Sequence, residues 1–294
     1  MTRARLTLGL VQHPCSGDRA KDIAASESGI REAAARGARL ILLQELHTSR
    51  YFCQQEDPAH FELAEPIPGS GSEHFAALAA ELQLVIVASL FERRAAGLYH
   101  NTAVVLDGPR GECGIYRKMH IPDDPGYYEK YYFTPGDLGF TPIDTSVGRL
   151  GVLVCWDQWF PEAARLMALG GAEILLYPTA IGWDPADDAA EQARQREAWL
   201  TIQRAHAIAN GLPVAVCNRT GFESDGAGSG SRFWGSSFIA GQQGEILAEA
   251  AQDSAEVVVV EVDLQRTEAV RRIWPYLRDR RIDAYGDLLK RYRD

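Results

Sequence analysis

The sequence predicts an α/β fold of many strands, with sheet faces covered on both sides and helices outside. Three observations carry this. Apolar runs rich in β-branched residues recur along the whole chain, helical patterns lie between several of them, and no composition break marks a linker. At 294 residues the chain can bury a core without disulfide or metal staples. Periodicity does not say whether the strands form one doubly wound sheet or two stacked ones.

Taken in order, Leu6-Thr-Leu-Gly-Leu-Val alternates and reads as a first strand. Asp22 to Arg36 is alanine-rich and stops at Gly37, a helix with a glycine end. Arg39-Leu-Ile-Leu-Leu-Gln is a buried strand, and Ser72 to Gln83 a helix opened by a cap-type serine. Leu84-Val-Ile-Val-Ala-Ser-Leu, Thr102-Ala-Val-Val-Leu and Gly114-Ile-Tyr-Arg read as further strands. Leu150-Gly-Val-Leu-Val leads into a helix over Pro161–Leu169, with proline in its first turn and Gly170-Gly171 at its end. After the strand Ala172-Glu-Ile-Leu-Leu-Tyr, the helix Ala189–Asn210 is expected to bury Trp199, Ile202, Ala205 and Ala209, with Gly211 closing it. Leu212-Pro-Val-Ala-Val and Glu256-Val-Val-Val-Val-Glu-Val are the last strands. Two stretches, 121–140 and 219–234, read as long loops, which in compact chains are usually functional.

Thirty basic against forty acidic side chains leave a net charge of −10, which argues against a nucleic-acid partner. Five scattered cysteines with no C-x-x-C pair read as reduced thiols of a cytoplasmic protein. No run approaches the ~18 apolar residues of a membrane span, and the amino-terminal segment reads as a first strand, too short and polar-flanked to be expected as a secretion signal.

Three chemically capable side chains stand at strand ends, where α/β folds place ligand crevices: Glu45, Lys118 and Cys155. A cysteine between a strand and a helix sits where backbone amides and a helix dipole can hold an anion. The set is coherent. A thiol needs a base to become thiolate, a desolvated glutamate can serve, and a lysine can stabilise an oxyanion.

These segments resemble the nitrilase superfamily of carbon–nitrogen hydrolases along nearly the whole chain. Ile41-Leu-Leu-Gln-Glu45 is similar to its glutamate strand, Tyr116-Arg-Lys118-Met-His to its lysine strand, and Cys155-Trp-Asp-Gln-Trp-Phe-Pro-Glu162 to its cysteine elbow, in the family's order. The resemblance implies one domain over 1–294, an α-β-β-α sandwich of two stacked sheets with helices on the outer faces. It implies Cys155 as nucleophile, Glu45 as general base and then acid, and Lys118 as oxyanion stabiliser. The Trp156 N–H would be a second oxyanion donor, and Glu129 a supporting carboxylate near Lys118 or the substrate. It implies no metal and no organic cofactor.

The segment from Lys118 to Asp137, and Tyr177-Pro-Thr-Ala-Ile-Gly-Trp183, resemble the N-carbamoylputrescine amidohydrolase branch. That implies a small substrate carrying a cationic amine, cleaved to putrescine, carbon dioxide and ammonia. Such a ligand wants aromatic walls and an acidic end, for which Tyr127, Gln158, Trp183 and Asp123 are the candidates. A carbamoyl amino acid would instead want an arginine on its carboxylate, and Arg117 and Arg219 are available for that. A β-ureidopropionase-type or general amidase activity, or a non-catalytic binding protein of the same fold, are the alternatives.

Asp225-Gly-Ala-Gly-Ser-Gly-Ser lacks the ending of a phosphate loop and reads as a flexible loop near the site. Seven histidines show no metal-ligand spacing; His120 lies nearest the proposed site in sequence. The 264–294 segment, mixing aromatics and arginines around Ile273-Trp-Pro-Tyr, is composed like an interface. It is the expected contact of a homo-oligomer assembled from dimers, as the resemblance implies.

Overall fold

The computed structural model describes residues 5–224, 226 and 229–293. In chain order the elements are β1 (Arg5–Gln12), α1 (Arg19–Ala35), β2 (Leu40–Leu43), α2 (Ser70–Leu82), β3 (Val85–Ala95), β4 (Leu98–Asp107) and β5 (Glu112–Arg117). The short α3 (Glu129–Tyr132) follows, then β6 (Ile143–Thr145), β7 (Gly148–Val152), α4 (Pro161–Leu169), β8 (Ile174–Thr179), β9 (Gly182–Trp183) and α5 (Ala189–Asn210). The chain closes with β10 (Val214–Asn218), β11 (Thr220–Ser224), β12 (Gly230–Trp234), β13 (Phe238–Ala240), β14 (Ile246–Glu249), β15 (Glu256–Asp263) and α6 (Arg266–Ile273).

Two mixed six-stranded sheets result, in the orders β15-β1-β2-β3-β4-β5 and β14-β13-β10-β8-β7-β6. Each has a parallel centre, β1-β2-β3 in one and β7-β8-β10 in the other, flanked by antiparallel strands. The period of two explains the layering. Leu40 and Leu42 point between the sheets, into one core with Leu6, Leu8, Leu10, Val152, Leu176 and Val214. Ile41 and Leu43 point the other way, into a second core with Ile30 and Ala33 of α1 and Phe75 and Leu78 of α2. With α4 and α5 against the opposite sheet, the layers are α-β-β-α.

Three local expectations need correction. Helix α1 begins at Arg19 because Asp18 caps it, accepting the Ala20 and Lys21 amides, while Asp22 turns inward to hold Ser16 and Gly17. Helix α2 begins at Ser70 with Gly69 as cap; Ser72 lies one turn in, where its hydroxyl accepts the Gly69 amide. Helix α5 buries Trp199, Leu200, Gln203, His206, Ala207 and Asn210, and leaves Ala205 exposed. Its inner face is partly polar because it packs on the turn after Cys155, where the imidazole Nε2 of His206 meets the carbonyl of Gln158 at 2.8 Å.

The 219–234 stretch is a hairpin rather than a loop. Strands β11 and β12 pair antiparallel, and β12 pairs with β9 to make a third, three-stranded sheet. Of the glycine-rich run, Asp225, Ala227 and Gly228 lie outside the described residues. From the end of α6 onward the chain carries exposed apolar side chains, including Ile273 at 77% and Leu289 at 95% exposure.

Candidate active site

Glu45, Lys118 and Cys155 come from three strand ends and meet between the sheets, all buried. Glu45 follows β2, and its amide donates to the Thr179 carbonyl at 3.2 Å, which ties it to the end of β8. Lys118 follows β5, its amide held by the Asn101 carbonyl of β4 at 2.9 Å. Cys155 opens a 3-10 turn over Cys155–Trp159 with φ +42°, a left-handed conformation that a side-chain-bearing residue adopts only where its surroundings hold it.

Lys118 Nζ donates to Glu45 Oε1 at 2.8 Å and to Glu129 Oε2 at 2.6 Å. Asn101 Nδ2 donates to the same Glu45 oxygen at 2.7 Å and is itself fixed by the Ser89 hydroxyl at 3.0 Å. Glu45 Oε2 is left without a hydrogen-bond partner among the described residues. A buried carboxylate oxygen held free in this way is available to take a proton. Glu129, at the start of α3, is also held by the Tyr51 hydroxyl at 2.6 Å.

The charges act on one another from buried positions. Burial works against the Lys118 ammonium, but Glu129 and Glu45 outweigh it and raise its pKa well above the usual lysine value. Burial, reinforced by the Glu45 charge against the pull of Lys118, lifts Glu129 to about 7. Burial and the Glu45 carboxylate together push the Cys155 thiol well above the ordinary cysteine range. A thiol held in this way favours its neutral form, and any attack through sulfur would need a base.

A cavity of about 420 Å³ lies over Cys155. Tyr127, Trp156, Trp159, Ile181 and Trp234 make its walls, and Asp124, Asp184 and Asp187 line it where it meets solvent. No lysine or arginine is among the described residues lining it. Of the sequence candidates, Tyr127 lines the cavity, with its hydroxyl locked by the Gly182 amide at 3.0 Å.

Three others do not. Asp123 is exposed and lies outside the lining, whereas its neighbour Asp124, which forms a backbone bridge with Tyr127, belongs to it. Gln158 is buried beneath the cysteine turn, where Oε1 accepts from Trp199 Nε1 at 3.0 Å. Trp183 stands behind the wall, 5.2 Å from the Trp234 ring, with Nε1 donating to the Gln192 carbonyl.

The two arginines considered for a carboxylate are both engaged. Arg117 holds Glu92 and Asp137. Arg219 is fully buried on Glu223 and three main-chain carbonyls.

Sequence reasoning missed Asn101, Tyr51 and Asp157. A polar Asn101 within an apolar strand was a usable signal. Nothing local to Tyr51 marks it. His120, next to the site in sequence, meets Asp157 at 2.7 Å through Nδ1 and stacks on Phe160.

A family model described as carbon-nitrogen hydrolase matches residues 7–272. An N-carbamoylputrescine amidase of Arabidopsis thaliana is 44% identical over 291 residues, covering 98% of this chain and 96% of that one. A citrullinase of Francisella tularensis is 39% identical over 290 residues, covering 98% of this chain and all (100%) of that one. The crystal structure of a carbon-nitrogen hydrolase from Helicobacter pylori G27 superposes with a TM-score of 0.95 at 56% identity, covering 98% and 100% of the two chains.

Proposed function

The chain belongs to the carbon–nitrogen hydrolase family, and from that premise we propose that it hydrolyses N-carbamoylputrescine to putrescine, carbon dioxide and ammonia. One observation carries the choice of substrate: the cavity over Cys155 has aromatic walls, three aspartates toward solvent, and no cationic side chain among its described lining residues. A ureido group at the thiol then leaves a four-carbon stem along the walls and an ammonium among carboxylates. A substrate ending in a carboxylate finds no partner there, since Arg117 and Arg219 are spent elsewhere.

In this reading Glu45 takes the thiol proton through its free oxygen as Cys155 Sγ attacks the ureido carbon. Negative charge on the oxygen collects on Lys118 Nζ and on the Trp156 N–H, one of the first amides of its turn, which have no partner within it. Glu45 returns the proton to the departing nitrogen, and the sulfur keeps the acyl fragment. Water, deprotonated by Glu45, then releases that fragment as a carbamic acid, which loses carbon dioxide. Glu129 keeps Lys118 charged and aimed.

The same reading assigns the 264–293 segment, with its exposed Ile273, Ile282, Leu288 and Leu289, to contacts in a homo-oligomer built from dimers. It places the protein in the reducing cytoplasm, since the thiol nucleophile must stay reduced; all five cysteines are free.

The test is ammonia release, side by side, from N-carbamoylputrescine, citrulline, N-carbamoyl-β-alanine and a plain aliphatic amide. The expected result is a clear preference for the first, abolished in a folded Cys155→Ala variant. Preference for either carboxylated substrate overturns the substrate assignment. Sizing with and without residues 274–294 tests the assembly.

A further inference from the structure

The Arg219–Glu223 pair lies outside the set of reacting groups, yet both residues are buried and both reach toward it. Arg219 sits at the entry to β11, with its guanidinium 5.4 Å from the Phe233 ring of β12. Its Nη2 donates to the carbonyls of Glu45 at 3.0 Å and Leu46 at 2.9 Å, and its Nη1 to the Ser49 carbonyl at 2.9 Å. Leu46 has φ +49°, so the chain leaves Glu45 through a left-handed residue whose carbonyl this arginine holds. Arg219 Nη1 also donates to Glu223 Oε1 at 2.7 Å.

Glu223 carries the connection onward. Its Oε2 accepts the Tyr51 amide at 2.6 Å, and the Tyr51 hydroxyl holds Glu129, which holds Lys118, which holds Glu45. The contacts close a ring that runs from the Glu45 main chain through the ion pair and back to the Glu45 carboxylate. A buried ion pair is a poor way to gain stability, because desolvating both charges offsets their attraction. A rigid fork of N–H donors is a good way to fix several carbonyls at once.

We propose that Arg219 and Glu223 are positioning residues that hold Glu45 and Glu129 in place on either side of Lys118, so that the hairpin sets the proton-transfer geometry. The carboxylates' tasks are those of the cysteine mechanism above, on which this inference rests. Glu223 loses its charge as glutamine, which weakens its grip on Arg219 and on Tyr51. Tyr51→Phe removes one hydroxyl and keeps the ring.

The experiment uses the full-length protein with Glu223→Gln, Tyr51→Phe, the double variant and Arg219→Lys, each checked for a cooperative thermal melt. The expected result for the first two is a loss of about tenfold or more in kcat with KM changed less than about twofold. The pH at which kcat falls on the acid side should move as well. In the double variant the loss is smaller than the product of the single losses, because both changes cut one chain of contacts. Arg219→Lys, which keeps charge but loses the fork, falls at least as far as Glu223→Gln if it folds; if it does not, the cycle of the other variants decides. Wild-type kcat and pH profile in folded Glu223→Gln and Tyr51→Phe overturn the proposal, as does a kcat loss that only tracks the unfolded fraction. Cys155→Ala in parallel separates the two failures: turnover there sinks the mechanism, whereas normal turnover confined to the ring variants sinks only the clamp.

Discussion

Replacing Asp157 by asparagine tests how the cysteine turn is registered against the lysine arm. Oδ2 of this buried carboxylate accepts the Val154 amide at 2.9 Å and the Tyr116 hydroxyl at 2.8 Å. Oδ1 accepts the His120 amide at 3.0 Å and meets His120 Nδ1 at 2.7 Å. One side chain thus joins the residue before Cys155 to residues on both sides of Lys118. Asparagine exchanges one oxygen for an NH2. The Tyr116 hydroxyl can rotate and the His120 ring can change tautomer to accept from it, but a main-chain N–H can do neither.

Whichever way the amide turns, either Val154 or His120 loses its acceptor. An orphaned buried donor costs about 1–3 kcal/mol, and the upper half of that range applies where the lost acceptor was charged. At roughly 2–4 °C per kcal/mol for large domains, Tm should fall by roughly 4–12 °C. Asp157→Ala, which orphans both amides and opens a cavity, should fall further. A shift of the turn by about 1 Å relative to Lys118 also lowers kcat by about a hundredfold. Thermal melts and turnover are measured on the same preparations. An Asp157→Asn protein melting within about 2 °C of wild type, with wild-type kcat, refutes the assigned role.

Asp187→Asn should raise KM for N-carbamoylputrescine about twofold to fivefold, the scale of an exposed charge pair, and leave neutral N-carbamoylbutylamine unchanged. An equal change for both substrates argues against an ammonium site. Because burial and Glu45 hold the Cys155 thiol above its usual range, the thiolate absorbance difference between wild type and Cys155→Ala should stay flat from about pH 6 to about pH 8. A titration step in that window contradicts a neutral resting thiol. Burial lowers the pKa values of His13, His47, His100 and His206, so the unfolded chain binds protons first as pH falls through about 6.5. Glu129, lifted to about 7, works the other way as one group. The urea midpoint should therefore be lower at about pH 5.5 than at about pH 7.5, and a higher one removes the histidine account.

The sequence by itself determined the α/β class, most strand positions and the three buried side chains, Glu45, Lys118 and Cys155, that the fold brings together. It could do so because each depends on near neighbours: a period of two in Leu40–Leu43, a glycine stop after α5, a thiol between a strand and a proline-led helix. The likeness to a known family supplied the two-sheet layering, which periodicity left open because a strand buried on both faces reads the same in either arrangement. Tertiary structure decided what depends on distant residues meeting. It built the hairpin of 219–234 into a three-stranded sheet, because Gly182–Trp183 pairs with Arg232 and Phe233. It withdrew Gln158 and Trp183 from the cavity and replaced Asp123 by Asp124. It also spent Arg219 on carbonyls some 170 residues away, at Glu45, Leu46 and Ser49. A side chain's type states what it can bind, but which partner it meets is set by how the sheets and loops close around it.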